Sequence, residues 1–246
     1  MSKNSILFAS LHITDGSDIA AADLVTSSGA TIRKYIALPD LLTALSSKFT
    51  SYSFYLPAGC LAYVMYRGLH TFVVVRPEHR RPLLLPPDLS VGDSPSTSIE
   101  MVQDCLCPQC IWKITLDFHA NPVVRSTTVA VLPPAALQVL QSSGNLSVLS
   151  PYLRRMPFPN VYENGSICWG KCRLNDLLRG VTRPNYALLD PVINLFWGSP
   201  FNNDLGTMRF NGSFMSKVSF IRQHLVGQST FPYEALEPLS PDDFSL

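Results

Sequence analysis

The sequence predicts an α+β domain, and three observations carry that prediction. Residues 36–49 (IALPDLLTALSSKF) space their apolar side chains along one helix face, and residues 54–85 read as consecutive strands separated by turns. Residues 158–170 (FPNVYENGSICWG) then run extended into a turn that presents one cysteine beside glycines.

Taken in order, residues 5–14 (SILFASLHIT) read as a half-buried strand ending at Asp15-Gly16, with His12 packed or solvated there. Within 36–49, Pro39 suits a first helical turn and Asp40 places negative charge at the positive end of the helix dipole; Leu41, Leu42, Leu45 and Phe49 line one face. Residues 54–68, 69–75 and 82–85 form a predicted antiparallel meander, divided by Arg67-Gly68 and by a basic turn over 77–81. Cys60 lies in apolar surroundings and reads as structural. Residues 86–97, rich in proline, serine and aspartate, are expected to form a mobile loop. Residues 111–118 and 125–132 read as two further strands about Asn121-Pro122, and 133–141 as a short helix closed by Ser142, Ser143 and Gly144. Farther on, 174–178 reads as a short turn or helix, 186–197 (YALLDPVINLFW) as a helix that Pro191 either kinks or starts, and 210–226 as a final helix. One enlarged domain is expected over 1–230, followed by a flexible acidic tail, 231–246, which holds four acids and three prolines.

Composition narrows the function classes. With 246 residues, 46% hydrophobic side chains and a mean hydropathy of +0.15, the chain can bury a substantial core, and 20 prolines predict many loops and strand edges. Lys+Arg number 19 against 18 Asp+Glu, a net charge of +1, so no general basic field points to nucleic acid. The first residues, MSKNSILFASLHITDGSD, hold too short an apolar run for a signal peptide, and no 18-residue apolar stretch predicts a membrane span. A cytoplasmic protein is therefore expected, whose six cysteines stay reduced unless they bind metal or do chemistry.

Three of those cysteines crowd into residues 104–112 (DCLCPQCIW), a predicted Cys-rich insertion. Thiolates of Cys105, Cys107 and Cys110 would fill three corners of a tetrahedral structural zinc site, with His119, Cys60 or Cys172 as the fourth ligand. The paired C-x2-C halves of such sites are incomplete, and a packed, reduced cluster is the competing reading. A redox role for Cys107 and Cys110 lacks a surrounding thioredoxin-like βαβ pattern.

Cys168 is the candidate nucleophile. Val161 and Tyr162 favour extended backbone, residues 163–166 (ENGS) are turn chemistry with a glycine free to take positive φ, and Ile167 anchors the return. A thiolate attacks a thioester and is itself a good leaving group, so such a cysteine can carry an acyl chain without a dedicated base. The alternative is a small buried hydrophobe in a sheet-edge turn.

These residues resemble the active-site motif of ubiquitin-conjugating enzymes: His-Pro-Asn, a β-branched residue, a short turn with glycine, then Ile/Val-Cys eight residues after the asparagine. Pro159, Asn160, Val161, Gly165, Ile167 and Cys168 match, and Phe158 stands where the family has histidine. With that departure and with Cys-Trp-Gly after the turn, the segment is similar to bacterial members of the superfamily, including the protein B group of the plasmid-borne PRTRC system. The match covers about 13 residues. It implies a ubiquitin-conjugating-like fold with an N-terminal helix, a β-meander, the cysteine turn and C-terminal helices. It also implies that Cys168 carries the C-terminal acyl group of a ubiquitin-like protein and passes it to a lysine amine, with Asn160 donating to the oxyanion. Residues 199–206 (SPFNNDLG) resemble the loop that follows the family's crossover helix, and Asp204 is the matching acid that orients and deprotonates the incoming lysine. The family's histidine stabilises the loop, so Phe158 bears on geometry more than on chemistry. The implied partners are an adenylating activating enzyme, the ubiquitin-like modifier, a protein substrate and a metalloprotease that removes the modifier, in a bacterial pathway such as antiphage defence or plasmid maintenance. No cofactor is required for this catalysis.

Three other readings compete. A cysteine hydrolase is echoed by Gly-Ser-Ile-Cys-Trp, but no long apolar helix follows the cysteine and only His224 lies C-terminal to it. A non-catalytic binding module of the same fold is opposed by the presence of both Asn160 and Cys168. Thiol redox through Cys168 and Cys172 rests on a C-x3-C spacing alone.

Overall fold

The computed structural model describes residues 6–13, 19–26, 31–37, 58–66, 68–87, 98–118, 123–143, 146–179, 186–202, 204–240 and 242–244. The chain divides into two compact units, Met1–Tyr55 and Leu56–Leu246, rather than the single domain expected over 1–230. In the first unit, β1 (Ile6–Ile13), β2 (Ile19–Thr26) and β3 (Thr31–Ala37) form an antiparallel sheet in that order, each strand pairing with its neighbour in sequence. Ile36 and Ala37 end β3; the rest of the helix expected over 36–49 lies outside the described residues.

The second unit is built on a four-stranded antiparallel sheet. Its strands are β4 (Cys60–Tyr66), β5 (Leu69–Arg76), β8 (Cys110–Asp117) and β9 (Val123–Val131), adjacent in that order. Between β5 and β8, β6 (His79–Leu85) and β7 (Glu100–Cys107) pair as a separate ladder. Arg76 opposes Cys110 in one ladder and His79 opposes Cys107 in the other, so the two ladders are one long ribbon creased at Pro77 and Pro108. Neither proline can donate to a ladder, which is why both strands break at the same level. Residues 104–112 therefore end β7, cross the crease at Pro108 and begin β8. Most of the 86–97 loop lies outside the described residues.

Both faces of the inner strands β5 and β8 are covered, which is why they are apolar at consecutive positions, whereas Val64, Met65 and Tyr66 at the end of the edge strand β4 are exposed. Phe72, Val74, Trp112, Ile114, Val129 and Val131 share one core with α2 (Leu189–Gly198) and α3 (Lys217–His224). Val73, Val75, Ile111 and Ala130 share the other with α1 (Pro134–Ser143), Leu149 and Leu153. Pro191 stands in the first turn of α2, where its missing N–H costs nothing, so it marks the true start of the helix.

Two C-terminal expectations are corrected. Residues 210–226 are not one helix: β10 (Thr207–Phe210) and β11 (Ser213–Ser216) form a hairpin before α3 begins. Asn211 (φ +48°) and Gly212 (φ +78°) make its two-residue turn, and Ser216 caps α3 by accepting hydrogen bonds from the N–H groups of Val218 and Ser219. The described residues of the acidic tail are packed and not frayed. Leu236, Leu239 and Phe244 are buried, and the N–H of Leu239 donates to Leu153 O at 3.0 Å, closing the second core. No helix among the described residues is long and apolar enough to cross a membrane. Leu239→Ala is expected to cost about 2–4 kcal/mol in urea unfolding, the penalty of a cavity in a packed site; an unchanged midpoint would mean that the tail is loose in solution.

Candidate functional site

Strand β9 is an edge of the four-stranded sheet, and the cysteine turn fills its open side. Val129 N donates to Gly165 O at 2.9 Å, and Ile167 N donates to Thr127 O at 3.1 Å. The turn itself is closed by a bridge between Val161 and Ile167, by Tyr162 N to Ser166 O and by Gly165 N to Tyr162 O, both at 2.9 Å. Gly165 takes φ +79°, and a Cβ there would stand 2.7 Å from Val129 O, so only glycine fits between turn and strand. Trp169 Nε1 donates to Thr127 Oγ1 at 2.7 Å on the far side. Cys168 is thus half-buried on a segment pinned before and after it, and its N–H donates to Asn160 O at 2.7 Å.

Phe158 is fully buried, which explains the aromatic ring at this place. Its ring meets Trp197 edge-on at 5.0 Å between centroids and Phe201 at 6.0 Å. Phe196 continues the cluster to Trp112 on β8, to Trp169 and to Phe201, at 5.5, 6.5 and 5.4 Å. Sheet, helix α2, cysteine turn and the loop after α2 therefore share one set of edge-to-face contacts, each worth about 0.5–1.5 kcal/mol beyond burial. An imidazole here would have to be buried without water.

Asn160 joins the turn to the loop after α2. It takes φ +64°, which asparagine tolerates better than any other non-glycine residue type. Its Nδ2 donates to Pro200 O at 3.1 Å, and its Oδ1 accepts from Asn202 N at 3.2 Å. Asn202 in turn donates from Nδ2 to Asp204 Oδ2 at 2.8 Å and accepts Asp204 N at 3.2 Å. The structure thus brings Cys168, Asn160 and the exposed Asp204 into one hydrogen-bonded chain. Nδ2 carries two hydrogens, of which Pro200 takes one.

The sequence alone marks Tyr162 only as a residue that favours extended backbone. A side-chain hydrogen bond to Cys168, and the charge that sulfur carries as a thiolate, hold the tyrosine hydroxyl protonated above its ordinary range. Tyr162 and Glu163 also line a cleft of about 340 Å³ beside the turn, together with Met156, Met208, Lys217, Leu236 and Phe214. The cue in sequence was a tyrosine two residues after the asparagine, on the strand facing the cysteine.

Three of the other cysteines are buried in the core. Cys105, Cys107 and Cys110 are at most 1% exposed, and their sulfurs point at nearby carbonyls or, for Cys110, at Met156 Sδ. Burial pushes all three thiols up, Cys105 to about 11. Among the described residues no three or more His, Cys, Asp or Glu side chains gather where they would hold a metal ion, and His119 lies outside those residues. Cys172 pairs with Ser199 Oγ at 3.5 Å, and Cys60 donates to Ala62 O at 3.3 Å. No family model, curated protein or solved structure matches this chain.

Alkylation of the native protein at pH 8, read peptide by peptide, is expected to label Cys168 at least about tenfold faster than Cys105, Cys107 or Cys110, because only thiolates react and burial suppresses theirs. Equal rates would contradict the burial described here.

Proposed function

We propose that this protein is a thioester-forming acyl transferase of ubiquitin-conjugating type, with Cys168 as the carrier of a ubiquitin-like modifier. The observation that carries the reading is the chain of hydrogen bonds from Cys168 through Asn160 and Asn202 to Asp204, which unites motif residues drawn from two separate segments. The α+β order of antiparallel sheet, cysteine turn and helix α2 is compatible with a ubiquitin-conjugating-like fold.

In this reading the Cys168 thiolate attacks the carbonyl carbon of a thioester presented by an activating enzyme. A new C–S bond forms and the donor thiolate leaves. A lysine amine of the protein substrate then attacks the same carbon, the second N–H of Asn160 Nδ2 meets the oxyanion, and Asp204 receives the amine's proton as a C–N bond replaces C–S. Cys168 leaves as thiolate, with the Tyr162 hydroxyl beside it as donor. None of these steps needs a metal; the zinc site at Cys105, Cys107 and Cys110 stays a separate structural proposal that elemental analysis decides.

A non-catalytic binding module of the same architecture is the second reading. It is favoured by one observation: the bonds of Asn160 to Pro200 and Asn202 account for that residue without chemistry. Charging separates the two. With its activating enzyme, ATP and modifier, the wild type is expected to give an adduct that thiols cleave, Cys168→Ala none, and Cys168→Ser a thiol-resistant oxyester. An adduct that persists in Cys168→Ala would place the nucleophile elsewhere, and no adduct with any variant would favour the binding module.

A further inference from the structure

Lys217 is the first residue of α3 and only 6% exposed, yet it carries an ammonium group. Its Nζ donates to Val161 O at 2.8 Å and to Phe158 O at 3.3 Å, the carbonyls on either side of the Pro159-Asn160 pair. Its backbone N–H donates to Gly206 O at 2.6 Å, in the loop that carries Asp204. One residue therefore grips both halves of the site: the cysteine turn through its side chain and the acid-bearing loop through its main chain.

The placement is costly for a cation. Burial drives the ammonium down to about 8; Glu163, which lines the same cleft, opposes that shift, and Arg155 adds to it. The positive end of the α3 dipole lies at the same point. Tyr162, Arg209 and Glu237 complete the charged and titratable groups around the cleft, and Glu237 is engaged by Arg155 at 3.2 Å. What holds the ammonium is the pair of charge-assisted bonds to carbonyls that have no ladder partner in this turn.

We propose that Lys217 is the positioning residue of the cysteine turn, fixing the carbonyls of Phe158 and Val161 so that Asn160 keeps its left-handed backbone and faces both Cys168 and the 200–206 loop. It supplies from α3 the polar anchoring of the turn that Phe158, committed to the aromatic core, does not. The clamp stands on geometry alone; its consequence for transfer rests on the acyl-transfer reading of Cys168.

Amide hydrogen exchange of the full chain tests it. Lys217→Met is expected to speed exchange at the amides of Tyr162, Gly165, Ile167 and Cys168 by about 10- to 100-fold, the factor that corresponds to one lost charge-assisted hydrogen bond, while β8 amides from Ile111 to Leu116 stay as in the wild type. Lys217→Gln, which keeps an N–H donor, should restore most of the protection. If Lys217→Met does not fold, Lys217→Ala takes its place, since the space it leaves adjoins the cleft and admits water to both carbonyls. Unchanged exchange in the turn, or the same acceleration in β8, overturns the clamp. In a charging assay the variant should keep thioester formation and lose about tenfold in discharge to lysine, with Lys217→Gln again restoring it. The exchange result expected here, together with no adduct on wild-type Cys168, would leave the clamp standing and remove the transfer reading alone.

Discussion

The amide of Asn160 accepts the N–H of Asn202 and donates to the carbonyl of Pro200, while its backbone carbonyl accepts the N–H of Cys168. Three bonds from one residue thereby close the cysteine turn and tie it to the loop that follows α2. They form only because Asn160 adopts φ +64°, a backbone state that costs most side chains about 1–2 kcal/mol and an asparagine less. Without that state the amide would point away from the loop, Asn202 would lose its anchor and Asp204 its orientation. The chemistry proposed for Cys168 is therefore a property of this junction more than of the thiol.

The junction is held from below by an apolar cluster and from the side by a buried cation. Phe158 sinks between Trp197 and Phe201 so that the residue two places before Asn160 cannot swing, and Lys217 holds the carbonyls at 158 and 161. A histidine at 158 would have combined anchoring and polarity in one side chain. Here the two duties are divided between an aromatic ring in the core and an ammonium from α3. Gly165 completes the arrangement from the sheet side, where β9 comes too close for any Cβ.

Much of this was legible in sequence where the signal is local. Runs such as TFVVV and CIWKITL carry the β-branched and aromatic residues that favour strands, and Asn164-Gly165 announces its own turn. What was missed depends on distant partners. The alanine-rich β2 has weak strand propensity and exists through pairing with β1 and β3. The Asn211-Gly212 turn is the exception, a local hairpin signal that the helix expected over 210–226 passes over, and Phe214 beyond it is 71% exposed. The acids and prolines of 231–246 hide Leu236, Leu239 and Phe244, which are buried only because Leu153 and Arg155 offer backbone partners to the tail. Nothing local in the sequence marks Lys217, whose role comes from carbonyls more than fifty residues away.

The most direct test of the account is the single-turnover behaviour of Asn160→Gly, which keeps the positive φ and removes only the amide. Charging of Cys168 should stay within about threefold of the wild type while discharge to lysine slows by ~10² to 10³, because in the proposed mechanism the amide would serve the oxyanion and hold the Asp204 loop. Discharge at the wild-type rate would contradict the account, since Asn160 would then contribute nothing to transfer beyond its backbone.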